Sequence, residues 1–239
     1  MEQIYTIPVN EAFDASRDDA KCGCPFCTIY RKLENNEIEI ILGASMMEPD
    51  IRIMTNEQGF CHTHYDMMLK RGNRLGMALT LESHLDLLRK EIGGGFFGKF
   101  KSENPAVSRV DKLERSCYVC ARTENNFAHM IETAVLLWDI DPEFRAKFSV
   151  QPYFCLPHYK RMIDYASRKL SKRRAAEFID TAETLEMKYF DKLREDVSWF
   201  CKKFDYRYDS EPWYDSKDAI ERAIAFLRSD THYQDEKKP

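Results

Sequence analysis

Eight side chains of this 239-residue chain carry thiol or imidazole chemistry at a fixed step of three: Cys24 with Cys27, Cys61 with His64, Cys117 with Cys120, and Cys155 with His158. Together they supply two sets of three thiolates and one imidazole. Zinc takes four such ligands tetrahedrally, and its borderline softness suits the mixture. Chain order assigns one ion to Cys24, Cys27, Cys61 and His64, and a second to Cys117, Cys120, Cys155 and His158. Each set has four protein ligands and no open position, so both read as structural zinc sites rather than catalytic ones. Such an ion contributes an apparent ~10–16 kcal/mol in zinc-finger peptides, comparable with or above the stability of a whole domain.

Other chemistries fit the same residues less well. A c-type haem needs histidine directly after Cys-x-x-Cys, where Thr28 and Ala121 stand. An iron–sulfur cluster usually wants four cysteines. A thioredoxin-like redox pair needs a βαβ setting. A disulfide scaffold needs a denser cysteine content in a short secreted chain than eight in 239 residues. Any one pair could be small buried hydrophobes, but four correlated pairs argue against that.

The elements that must hold these pairs read as helices. Pro25 and Pro157 suit a first helical turn, which places ligand pairs at helix N-termini, where peptide dipoles favour thiolate. After Cys27, the residues Ile29, Leu33, Ile40 and Ile41 fall near one helical face. Met77, Leu81, Leu85, Leu88 and Ile92 form an amphipathic stripe. Phe127, Ile131, Ala134 and Trp138 mark a helix that must end before Pro142. Helical spacing continues through Phe178, Ala182, Leu185, Tyr189, Leu193, Val197, Phe200 and Phe204, and a last helix runs from about Ser216 to Leu227. Strand patterns are nearly absent, so the fold class is all-α.

The motifs also repeat. Cys117 follows Cys24 by 93 residues and Cys155 follows Cys61 by 94, and each Cys-x-x-His is preceded by Phe and followed by Tyr. This reads as an internal duplication: tandem helical repeats at 1–98 and 117–208, each tied by its own Cys3His zinc site. A linker at 99–116 contains Pro105, and 209–239 carries a turn, a short helix and a frayed tail.

Lys and Arg number 36 against 40 Asp and Glu, a net charge of -4 that argues against a general nucleic-acid partner. No apolar run approaches the ~20 residues of a membrane span. The start, Met1-Glu2-Gln3-Ile4-Tyr5, lacks a secretory pattern. The expectation is a cytoplasmic protein.

The remaining reactive groups read as follows. Cys22 is an exposed free thiol, Cys201 a core residue and His62 a surface one, while His84 and His129 sit at the edges of apolar stripes. Arg168, Lys169, Lys172, Arg173 and Arg174 form a solvated basic run. Phe204, Tyr206, Tyr208, Trp213 and Tyr214, with Asp205, Arg207, Asp209 and Asp215, read as a turn packed back on the helices, with a ligand groove as the alternative. The polar stretch from Met47 to Phe60 reads as a short helix with Pro49 in its first turn and internal salt bridges between its charges, rather than a binding surface.

Several of these stretches resemble an uncharacterised bacterial family catalogued only as a domain of unknown function. They are Ile7-Pro8-Val9-Asn10-Glu11-Ala12-Phe13, Cys24-Pro25-Phe26-Cys27, Met47-Glu48-Pro49-Asp50-Ile51-Arg52, Asn56-Glu57-Gln58-Gly59-Phe60-Cys61, Asn73-Arg74-Leu75-Gly76 and Phe204-Asp205-Tyr206-Arg207. The resemblance spans nearly the whole chain and implies no established activity. Members are sometimes labelled as ABC-transporter substrate-binding proteins, a label that implies export, and the chain start shows neither an export signal nor a lipidated cysteine.

Three functions fit the residues. The first is a non-enzymatic scaffold presenting a helical surface to a protein partner. The second is a thiol–zinc redox sensor in which oxidation releases metal and unfolds a repeat, with Cys22 placed to attack Cys24 or Cys27 once oxidised. The third is an enzyme with a site between the repeats near Asp205, Arg207 and His129. No nucleophile–base–orienter set or phosphate loop is visible, which ranks the enzyme last.

Overall fold

A computed structural model describes residues 3–43, 47–93 and 104–231; the tail beyond Thr231 and the glycines after Gly93 lie outside them. Among the described residues there are eleven α-helices and no strands. They are α1 Gln3–Asp18, α2 Pro25–Leu42, α3 Pro49–Gln58, α4 His62–Lys70, α5 Arg74–Ile92, α6 Pro105–Glu114, α7 Tyr118–Ile140, α8 Pro142–Phe148, α9 Leu156–Lys169, α10 Lys172–Lys202 and α11 Ala219–Arg228. Their starts follow from the local sequence. Side chains of Asn73, Asn104, Asp141 and Ser171 accept from the first free amides of α5, α6, α8 and α10, and proline opens α3, α6, α8 and α9. The segment expected as a linker holds α6. Asn104 and Pro105 make a helix start there, and Arg109 ties that helix to Glu91 and to the Glu57 carbonyl.

The chain divides into two compact units, one of Met1–Arg31 with Phe127–Pro239 and one of Lys32–Asn126. These bounds differ from the expected repeats at 1–98 and 117–208. The divisions fall inside α2 and α7, so each of these long helices gives residues to both units.

The first unit is built around aromatic side chains. Phe13 meets Phe26, Phe144, Phe148 and Phe154 at ring-centroid distances of 4.9–6.1 Å, and Trp138 stands edge-on to Phe178 at 5.0 Å. Offset and edge-on pairs of this kind add to area burial. In the second unit α3 packs on α5, and α5 on α6. Its core gathers Ile38, Ile41, Leu42, Phe60, Met67, Met68, Tyr118 and Val119.

Cys201 is exposed, not buried as expected. The buried stripe of α10 ends at Asp196, and the last turn is covered on another side, where Phe200 meets Trp213 at 5.7 Å. The aromatic turn does pack back in part, with Trp199 against Tyr208 and Tyr214 at 5.8 and 5.4 Å, but Phe204 and Tyr206 stay 78% and 88% exposed.

Candidate metal centres

All eight residues singled out by spacing meet in two clusters, but the partners are exchanged. Cys24 and Cys27 join Cys155 and His158, while Cys61 and His64 join Cys117 and Cys120. Each cluster takes its Cys-x-x-Cys from one half of the sequence and its Cys-x-x-His from the other, which corrects the assignment made from chain order. The first cluster lies within the first unit and the second within the second.

Local structure explains how a step of three brings two ligands together. Each leading cysteine immediately precedes a helix: Cys24 before α2, Cys61 before α4, Cys117 before α7 and Cys155 before α9. The second ligand sits in that helix's first turn, and the leading cysteine's carbonyl accepts the turn's amides, as at Cys27 to Cys24 (3.0 Å), Tyr65 to Cys61 (3.0 Å), Ala121 to Cys117 (3.0 Å) and His158 to Cys155 (2.9 Å). Each cluster therefore lies at two helix N-termini, α2 with α9 and α4 with α7, whose positive dipole ends favour thiolate. The backbone just before two of these turns is open only to glycine. Gly23 has φ 69° and ψ -147°, and Gly59 has φ 61° and ψ -159°.

The donor spacing fits one small cation. With zinc–sulfur about 2.3 Å and zinc–nitrogen about 2.0–2.1 Å, a tetrahedron has edges of about 3.8 Å between sulfurs and about 3.5 Å from sulfur to nitrogen. In the first cluster Cys27 Sγ lies 3.7 Å from Cys155 Sγ, and His158 Nδ1 lies 3.6, 3.6 and 3.1 Å from Cys24, Cys27 and Cys155. In the second, Cys61 Sγ lies 3.9 Å from Cys120 Sγ, and His64 Nδ1 lies 3.1, 3.2 and 3.4 Å from Cys61, Cys117 and Cys120. Sulfurs this far apart share no disulfide, and all six are free cysteines.

The electrostatics lead the same way. Hydrogen bonds from Cys155 and Cys24 hold Cys27 far below the usual thiol range, while burial pushes Cys24 well above it. A hydrogen bond from Cys120 pulls Cys117 down to about 3, and the same contact pushes Cys120 up. Burial works against the charged form of His64, but hydrogen bonds to Cys117 and Glu34 carry it up to about 10. Crowded thiols share protons because three thiolates at this distance repel one another, and a bound dication lets all three ionise.

The surroundings of the two clusters differ. The first is the more deeply buried: Cys24, Cys27, Cys155 and His158 are all buried, His158 stands edge-on to Phe127 at 5.0 Å, and the Asp230 amide donates to Cys27 Sγ at 3.3 Å. In the second, Cys61 and Cys120 are partly exposed, and His64 Nε2 lies 3.0 Å from Glu34 Oε1.

The other flagged residues fall as follows. Cys22 is half-buried and lines, with Cys24 and Cys27, a cavity of about 720 Å³ that also touches Tyr153, Tyr189 and Arg222. His129 stacks on Tyr5 at 5.3 Å, and Asp205 pairs with Arg207; none of these three lines that cavity. His62 is exposed beside Asp66, and His84 is buried, 2.8 Å from the Asn56 carbonyl. Arg173 and Arg174 pair with Glu177. The polar motif forms α3 as expected; Arg52 and Asn56 turn inward, while Glu48, Asp50 and Glu57 stay exposed. Arg52 donates to Ser83 and the Leu79 carbonyl, and Ser83 donates to Asn56. Spacing missed Glu34, which no motif marks. Its only signal is its place on α2, seven residues past Cys27.

No described helix is long and apolar enough to cross a membrane. A family model described as a family of unknown function (DUF6062) matches residues 1–234. No curated protein and no solved structure matches the chain.

Proposed function

The chain belongs to this family of unknown function, and we propose that it is a helical scaffold built on two structural zinc ions, presenting its surface to a protein partner. One observation carries the reading: two sets of three sulfurs and one imidazole nitrogen at tetrahedral-edge spacing, each set at two helix N-termini. Zinc is the choice because thiolate and imidazole suit it and a closed four-ligand set is its structural form. A reducing compartment such as the cytoplasm suits eight unpaired cysteines. The partner surface finds support in exposed apolar side chains on two helices that pack together, Ile220, Ile224 and Leu227 on α11 and Met187 and Phe190 on α10. Metal content by plasma mass spectrometry, on protein purified without added metal or chelator, tests the central claim. Two zinc per chain is expected, and none would sink it.

A second reading, the thiol–zinc redox sensor, is favoured by the cavity that Cys22, Cys24 and Cys27 share. Peroxide would oxidise the Cys22 thiol to sulfenic acid, and a zinc-bound thiolate would displace water to form a disulfide. Peroxide-driven zinc release that is unchanged in Cys22→Ser discards this reading.

A further inference from the structure

The two metal centres are chemically unequal in what stands behind their histidines. In both, Nδ1 faces the sulfurs, which leaves Nε2 directed away from the cluster. Behind His64, Nε2–H donates to Glu34 Oε1 at 3.0 Å, with both side chains no more than 2% exposed. The carboxylate comes from α2, seven residues after Cys27. The residue seven after Cys120 is Phe127, whose ring packs edge-on to His158 at 5.0 Å. Equivalent places in the two halves thus hold a buried carboxylate in one unit and an aromatic ring in the other.

We propose that Glu34 is the positioning residue of the second metal centre. Its carboxylate fixes the imidazole as the tautomer with its proton on Nε2 and its lone pair on Nδ1, and it raises the basicity of that lone pair toward the ion. This rests on the zinc reading above. A carboxylate that orients a ligating histidine in this way typically accounts for a 10- to 100-fold change in metal affinity. A buried carboxylate without such a partner would only burden a centre whose ligands already exceed the charge of the ion.

The test uses the full-length chain, with zinc itself as the probe in competition against a chromogenic chelator. Two zinc should bind, and Glu34→Gln should weaken one of the two constants by about 10-fold while leaving the other unchanged. Glu34→Ala should weaken it further, because the amide of Gln still accepts the Nε2 proton. The decisive comparison is made in a His64→Cys background, where no imidazole remains for Glu34 to hold. There Glu34→Gln should leave affinity unchanged or raise it. A loss by the same factor in both backgrounds would show that Glu34 merely packs, and would overturn the assignment. Should the variants fail to fold, long-range proton–nitrogen NMR on the zinc-loaded wild type decides. Metal on Nδ1 and a proton on Nε2 of His64 is expected, and the reverse tautomer overturns it. Uptake of fewer than two zinc by the wild type counts against the zinc reading itself. Two zinc with an unaffected Glu34→Gln counts against Glu34 alone.

Discussion

Single residues around the metal centres carry costs that can be measured. Glu186 is fully buried on α10, where its Oε2 accepts from the Phe154 amide at 3.1 Å and its Oε1 has no partner. Burial raises its pKa to about 8, with the Phe154 hydrogen bond pulling the other way. The native state therefore holds a proton that the unfolded chain, near the ordinary 4.5, has released. Stability falls as pH rises through that window, at up to ~1.4 kcal/mol per pH unit, and levels off above it. Glu186→Gln removes the titration. Denaturant melts should show the variant gaining on the wild type between pH 6 and 8 and a constant gap above; a gap that ignores pH would show that Glu186 is ionised in the fold. Gly59 carries a different cost. A Cβ built there would lie 2.6 Å from Leu113 Cδ1 and 3.1 Å from His84 Nε2, in a backbone region open only to glycine. At Gly72, also at positive φ, a Cβ meets nothing within 4 Å. Gly59→Ala should cost at least ~1–3 kcal/mol and Gly72→Ala clearly less, since only the first adds a clash to the strain. Equal melting shifts would mean the segment before Cys61 yields freely.

At the scale of elements, helix starts were legible and helix meetings were not. Pro25 and Pro157 announce two of the four helix N-termini, because the reason is local: within a helix Pro157 fits only in a first turn, and a step of three puts two side chains on one face. Which N-termini meet is decided by packing. The distance of 34 residues from Cys27 to Cys61 says nothing about contact, so chain order paired the wrong termini although all eight residues it named do cluster. The helix inside the expected linker was hidden for a related reason. The stripe of α6 is short, and its anchors, Arg109 to Glu91 and Ser116 Oγ to the Gln58 carbonyl, are polar and distant in sequence. Cys201 shows the limit of periodicity, since helical spacing continues along α10 past the point where the core ends. That limit makes a prediction about thiols. In the metal-loaded protein a colorimetric thiol reagent should find two reactive groups, Cys201 first and half-buried Cys22 second, and a denaturing chelator should release six more. Eight groups reacting together at the outset would mean the clusters are open.

At the scale of the whole molecule, an ion held in either cluster would close a loop of chain, and loop length and burial can be weighed against each other. The first centre joins residues 128 to 134 positions apart, and the second joins residues 53 to 59 apart. A little over a twofold difference in loop length is worth only about 0.6–0.8 kcal/mol, far below the stability a structural zinc supplies. Loop closure therefore does not decide which ion leaves first. Access does. Cys61 and Cys120 are partly exposed, whereas Cys24, Cys27 and Cys155 are at most 2% exposed. A chelator must reach a sulfur edge of the site, so the second unit should yield its zinc first and the more deeply buried first unit more slowly. Mixing the loaded chain with excess chelator and following a zinc indicator should give two phases of equal amplitude. Cys61→Ser should abolish the fast phase alone. One phase, or a slow phase lost with Cys61, would mean that burial does not set the order. Peroxide is smaller than any chelator and can enter the cavity lined by Cys22, Cys24 and Cys27. If the sensor reading holds, peroxide should reverse the order and release zinc from the first unit first.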